Sequence, residues 1–102
     1  MRAKIIVICG SLKFEAKMIE EAMRLELEGN NVWSVTYCPP SFPKSALTPA
    51  HEELLDKLHK EKIDLSDAIF VVNVGGYIGS STRSEIEYAK SKGKEIIFLE
   101  KP

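Results

Sequence analysis

The stretch Ala68-Ile69-Phe70-Val71-Val72-Asn73-Val74-Gly75-Gly76-Tyr77-Ile78-Gly79-Ser80-Ser81-Thr82-Arg83-Ser84-Glu85-Ile86-Glu87-Tyr88-Ala89 holds, in order, the three parts of an α/β unit. Ala68 to Val74 is apolar enough to be a strand buried on both faces. Gly75, Gly76 and Gly79 then break the regularity into a loop that starts at Asn73 and carries Tyr77. A helix is predicted from Thr82 to Lys92, ended by Gly93, with Ile86 and Ala89 toward the sheet. Strand, glycine loop and helix start bring backbone N–H groups together, which suits an anion. Ser80, Ser81, Thr82 and Arg83 are therefore candidates to hold a phosphate or a sugar hydroxyl. Tyr77 either lids a base or covers the end of the sheet.

The same alternation runs through the rest of the chain. Lys4 to Cys9 is a second continuous apolar run, read as a buried strand. Gly10-Ser11 turns the chain, and Leu12 to Glu28 is read as a helix with Ala16, Ile19, Met23 and Leu27 inward. Asn31 to Tyr37 is an edge strand, and Cys38 to Thr48 is a proline-rich loop. Thr48 caps a helix that opens with Pro49 and runs to about Lys62, with Leu54, Leu55 and Leu58 inward. Lys94 to Glu100 is the last strand.

This β-α-β-α-β-α-β order predicts an α/β fold: a short flavodoxin-like three-layer sandwich around a four-stranded parallel sheet, order 2-1-3-4. The two most apolar strands occupy the centre. Strand order then reverses between the first and third strands, and ligands bind at such points, beyond the carboxyl ends of the strands. The loops there are Gly10 to Phe14 and Gly75 to Thr82, so topology and glycine content point to one cleft.

With 102 residues, one domain over residues 1–102 is expected, with a radius of gyration near 13 Å. The composition is 44% hydrophobic and 28% charged with formal net charge -1, which fits neither disorder nor a basic nucleic-acid footprint. No apolar run approaches the roughly 20 residues of a membrane span, and the first residues carry no signal-peptide pattern. Cys9 and Cys38 are too few for a disulfide framework, so a cytoplasmic setting is expected.

Glu85 admits two roles. With Thr82 as cap, it completes a capping box three residues on. On the flank of the sheet-facing side, it is a nucleophilic or general-base carboxylate at the cleft. His51, His59, Glu52 and Asp56 match no zinc spacing and are read as a solvated helix face, so neither metal nor cofactor is expected. Cys9 is read as a buried small apolar residue.

Ile8-Cys9-Gly10-Ser11-Leu12-Lys13-Phe14, Ser66-Asp67-Ala68 and Ser84-Glu85-Ile86-Glu87-Tyr88-Ala89 together resemble the nucleoside 2-deoxyribosyltransferase family, which includes the 2'-deoxynucleoside 5'-monophosphate N-glycosidases. The resemblance implies N-glycosidic bond cleavage or base transfer on a (deoxy)nucleoside or its 5'-monophosphate. It implies that Glu85 is the nucleophile and that Gly10, Ser11 and Phe14 lie near the substrate. Where the family carries an aspartate before the third strand this chain has His59: either His59 takes over protonation of the base or the chain lacks that function. The alternative is a non-catalytic nucleotide-binding module of the same fold. A homodimer is expected, on the ground that Tyr88, Ser84 and Ser91 point away from the sheet.

Overall fold

A computed structural model describes residues 2–102. The strands are β1 (Ile5–Gly10), β2 (Asn31–Trp33), β3 (Ala68–Val72) and β4 (Glu95–Phe98). They form one parallel sheet in the order β2-β1-β3-β4. Three α-helices connect them: α1 (Glu15–Leu27), α2 (Pro49–Asp64) and α3 (Ser80–Ser91). The radius of gyration is 13.3 Å. No helix among the described residues is long and apolar enough to cross a membrane.

Strand alternation divides the core in two. Ile6 and Ile8 of β1 and Ala68, Phe70 and Val72 of β3 face Met18 and Leu25 of α1. Val7, Cys9, Ile69 and Val71 face the other way and pack with Ile63 of α2 and with Ile86 and Ala89 of α3. Every residue of β3 is buried, as its uninterrupted apolar sequence requires. Asp67 ties the strand starts together: it pairs with Arg2 at 2.7 Å and accepts from the Ile5 N–H at 2.8 Å. The Arg2 guanidinium beside it holds its carboxyl down at about 2.

Several expected boundaries move. β2 stops at Trp33, short of Tyr37, because its register with β1 covers only Ile5, Ile6 and Val7. The Ser34 carbonyl instead accepts from Lys62 Nζ at 3.0 Å. Leu12–Phe14 is a separate 3-10 turn capped by Ser11 rather than the first turn of α1. Thr48 caps α2 as expected, in a capping box whose second member is the His51 side chain.

The inward face of α1 is corrected. Met18, Glu21 and Leu25 are buried, whereas Ile19, Met23 and Leu27 are 52%, 62% and 80% exposed. The helix carries apolar residues on two sides, and Glu21 fits inside because Arg24 takes its carboxylate at 2.9 Å and Lys17 approaches it at 3.8 Å. The inward face of α2 is corrected likewise. His59 and Ile63 are buried while Leu54 and Leu58 are exposed.

Candidate active site

The helix α3 starts two residues earlier than its sequence suggests. Gly79 is the N-cap and supplies no side-chain cap, so Thr82 sits within the first turn. The capping-box role for Glu85 is thereby ruled out. Thr82, Glu85, Ile86 and Ala89 instead form the buried face, at spacings of three and four. Helix periodicity thus forces Glu85 inward, onto the end of β1.

There it meets two other buried groups. Cys9, near the end of β1, places Sγ 3.4 Å from His59 Nε2 of α2. His59 Nε2 lies 3.7 Å from Glu85 Oε1. Glu85 Oε1 and His59 Nδ1 have no hydrogen-bond partner among the described residues. Burial pushes the Glu85 carboxyl up to about 7, with the nearby Cys9 thiol opposing and the Asp56 charge reinforcing. Burial pulls His59 down to about 4, helped by Lys62. Burial also raises the Cys9 thiol well above its ordinary value, so it is protonated at neutral pH.

His59 and Glu85 border a cavity of about 340 Å³, and Cys9 lies behind them. Gly10, Ser11, Tyr77, Gly79, Ser80, Ser81, Thr82, His59 and Glu85 line it, which brings together the loops after β1 and β3 at the point where strand order reverses. Five other candidates stand apart from this lining. Arg83 is exposed on the far side of the first turn of α3. Phe14 packs on the α1 side of the core, with its ring edge against Tyr77 at 5.9 Å. Asn73 is fully buried and spent on structure: Nδ2 donates to the Glu100 carbonyl and Oδ1 accepts from the Glu100 N–H, each at 2.9 Å. Gly75 donates its N–H to the Glu100 carboxylate at 2.8 Å. Gly75 and Gly76 have φ of 64° and 81°, so they serve the turn that carries the chain from β3 toward α3.

The cavity wall also holds residues that the sequence alone did not bring forward. Val35, Thr36, Lys44 and Leu47 come from the long loop after β2, and Glu52, Leu55, Asp56 and Lys62 from α2. The signal for the α2 set was present: Glu52, Asp56, His59 and Lys62 recur at helical spacing on one face. That face lines the cavity rather than bulk solvent. The expectation that His59 protonates the base rested on an ordinary histidine pKa. A buried imidazole near 4 is neutral at pH 7 and holds no such proton ready.

No protein-family model matches the chain, and no curated protein matches it in sequence. Two of the solved structures that share this fold are enzymes. One is the CMP N-glycosidase of Clostridium botulinum, with a TM-score of 0.61 and 20% identity over 93% of this chain. The other is a 2-deoxyribosyltransferase from Leishmania mexicana, with a TM-score of 0.59 and 21% identity over 93% of this chain. The chain spans 70% of the length of the first and 63% of the second.

Proposed function

We propose that this protein cleaves or transfers an N-glycosidic bond of a nucleoside or nucleoside 5'-monophosphate, with Glu85 as nucleophile. One observation carries the proposal: Glu85 lines the cavity at the strand-order reversal while its Oε1, turned toward His59, is buried without a hydrogen-bond partner. A buried carboxyl without a partner costs stability, on the order of 1–3 kcal/mol, which a structural residue has no reason to incur. The names of the two structural neighbours describe N-glycosidic chemistry and support the same class.

In the proposed reaction the ionised Glu85 oxygen bonds to the anomeric carbon as the bond from that carbon to the base nitrogen breaks. The leaving base keeps the electron pair and takes a proton from water in the cavity. Desolvation makes the carboxylate effective against the developing oxocarbenium charge. Water then attacks the sugar, loses a proton to solvent and frees the carboxylate. A second base in place of water gives transfer. His59, neutral at pH 7, positions the carboxylate from 3.7 Å. The backbone N–H groups of Ser80, Ser81 and Thr82 at the start of α3 suit a 5'-phosphate. Cys9 and Cys38, both free thiols, suit a cytoplasmic setting.

The test is base release from a panel of nucleosides, deoxynucleosides and their 5'-monophosphates, set beside binding of the same panel. Release of free base from at least one member is expected. Binding without release from any member would overturn the proposal in favour of a non-catalytic nucleotide-binding module.

A further inference from the structure

Cys9 is the member of the buried trio that the proposed reaction leaves unused. Its Sγ lies 3.4 Å from His59 Nε2, and that nitrogen lies 3.7 Å from Glu85 Oε1. Ligand atoms of all three residues fall within 4.8 Å of one another. In tetrahedral zinc sites, bonds of about 2.3 Å to sulfur and about 2.0–2.2 Å to nitrogen and oxygen hold neighbouring donors about 3.3–3.6 Å apart. The observed separations already approach that spacing. A thiolate, an imidazole and a carboxylate are the donor types that zinc takes, whereas hard cations such as Mg2+ select all-oxygen sites. The buried Glu85 Oε1 has no partner and is thus free to accept a cation.

We propose that Cys9, His59 and Glu85 bind Zn2+, or another thiophilic divalent cation, and that the bound cation blocks the reaction at Glu85. The sulfur–metal bond forms as the Cys9 thiol gives its proton to bulk water, and Glu85, where protonated, gives up its proton likewise. The imidazole binds through Nε2 with its proton on Nδ1. Two of the three ligands, His59 and Glu85, line the cavity, from which a fourth ligand would come. The carboxylate electrons are then engaged by the metal and are withheld from the anomeric carbon. The blocking half rests on the function proposed above; the binding half does not.

The test titrates chelator-stripped protein with Co2+ in the absence of any nucleoside. One equivalent should give an intense near-ultraviolet thiolate-to-cobalt charge-transfer band, and Zn2+ should abolish it by displacement. The band should persist in Cys38→Ala and vanish in Cys9→Ala. If circular dichroism shows Cys9→Ala unfolded, Glu85→Gln serves instead and should weaken cobalt binding. A missing band in the wild type, a band that survives Cys9→Ala, or one lost in Cys38→Ala would overturn the site. Base release is then followed in stripped protein with and without Zn2+. Inhibition that a chelator reverses is expected, and an unchanged rate would overturn the blocking role. A stripped protein that releases no base would count against the proposed function alone, because the cobalt band decides the site independently.

Discussion

Glu85 Oε1 and His59 Nε2 face each other at 3.7 Å from two different helices, and both residues are more than nine-tenths buried. Burial drives their protonation in opposite directions, to a carboxyl near 7 and an imidazole near 4. Each resists the charge that its ordinary pKa would give it at pH 6.

The pair sets a pH dependence of stability. Glu85 is raised on folding, so its contribution is full below about 4.5 and is lost as pH rises through 7. His59 is lowered on folding, so its contribution is full above about 6.5 and is lost as pH falls through 4. The two slopes oppose between those limits, and only the Glu85 loss remains above them. Urea denaturation of metal-free protein should therefore show stability falling from pH 6 to pH 8. Glu85→Gln should remove that fall and be the more stable protein at pH 8, by up to about 3 kcal/mol. A wild type equally stable at both pH values would contradict this account.

His59 packs 3.7 Å from the carboxylate and is part of the burial around it. In His59→Ala, water should enter and return the Glu85 carboxyl toward its ordinary value near 4.5. The ascending limb of the base-release pH profile, expected near 7 in the wild type, should move to lower pH by one unit or more. A lower rate with the limb unmoved would show that His59 acts otherwise than by desolvation.

Gly10 closes β1 against the core. A Cβ there would lie 3.1 Å from Met18 Sδ and 3.1 Å from the Val72 carbonyl oxygen. The methionine can shift but the carbonyl belongs to β3, so Gly10→Ala should destabilise by about 1–3 kcal/mol. An unchanged denaturation midpoint would show that the strand end relaxes freely.

The expected ground for a homodimer does not hold. Tyr88 is half-buried against the α3 side of the core, and its hydroxyl donates to Asp64 at 2.7 Å. It is not a free aromatic. The exposed stripe of Ile19, Met23 and Leu27 on α1 is the candidate interface for a second copy. Sedimentation at micromolar concentration should give a dimer, and Met23→Lys a monomer. A monomeric wild type would dispose of the idea.

How much of this was legible in the sequence follows from which features are local. The uninterrupted apolar runs Ile5 to Cys9 and Ala68 to Val72 were enough to place two strands at the centre and to predict the order 2-1-3-4. The side of α1 that turns inward was not legible, because Ala16, Ile19, Met23 and Leu27 make as good a stripe as Met18, Ala22 and Leu25. The choice depends on the exit angle after Phe14, where a 3-10 turn precedes the helix. Glu85 was legible as a candidate but not as a buried group. The true start of α3 at Ser80 turns Thr82 and Glu85 inward together. The meeting of Cys9, His59 and Glu85 joins residues 50 and 26 positions apart, and no local pattern announces it.

The central claim is that Glu85 attacks the sugar, and trapping tests it most directly. Metal-free wild-type protein incubated with a 2-fluoro-sugar analogue of its substrate should gain the mass of one glycosyl group, on the peptide that contains Glu85. Glu85→Gln should fold, gain no such mass and lose base release by orders of magnitude, since a neutral amide neither traps nor stabilises the developing cation. Base release by Glu85→Gln at the wild-type rate would contradict the account.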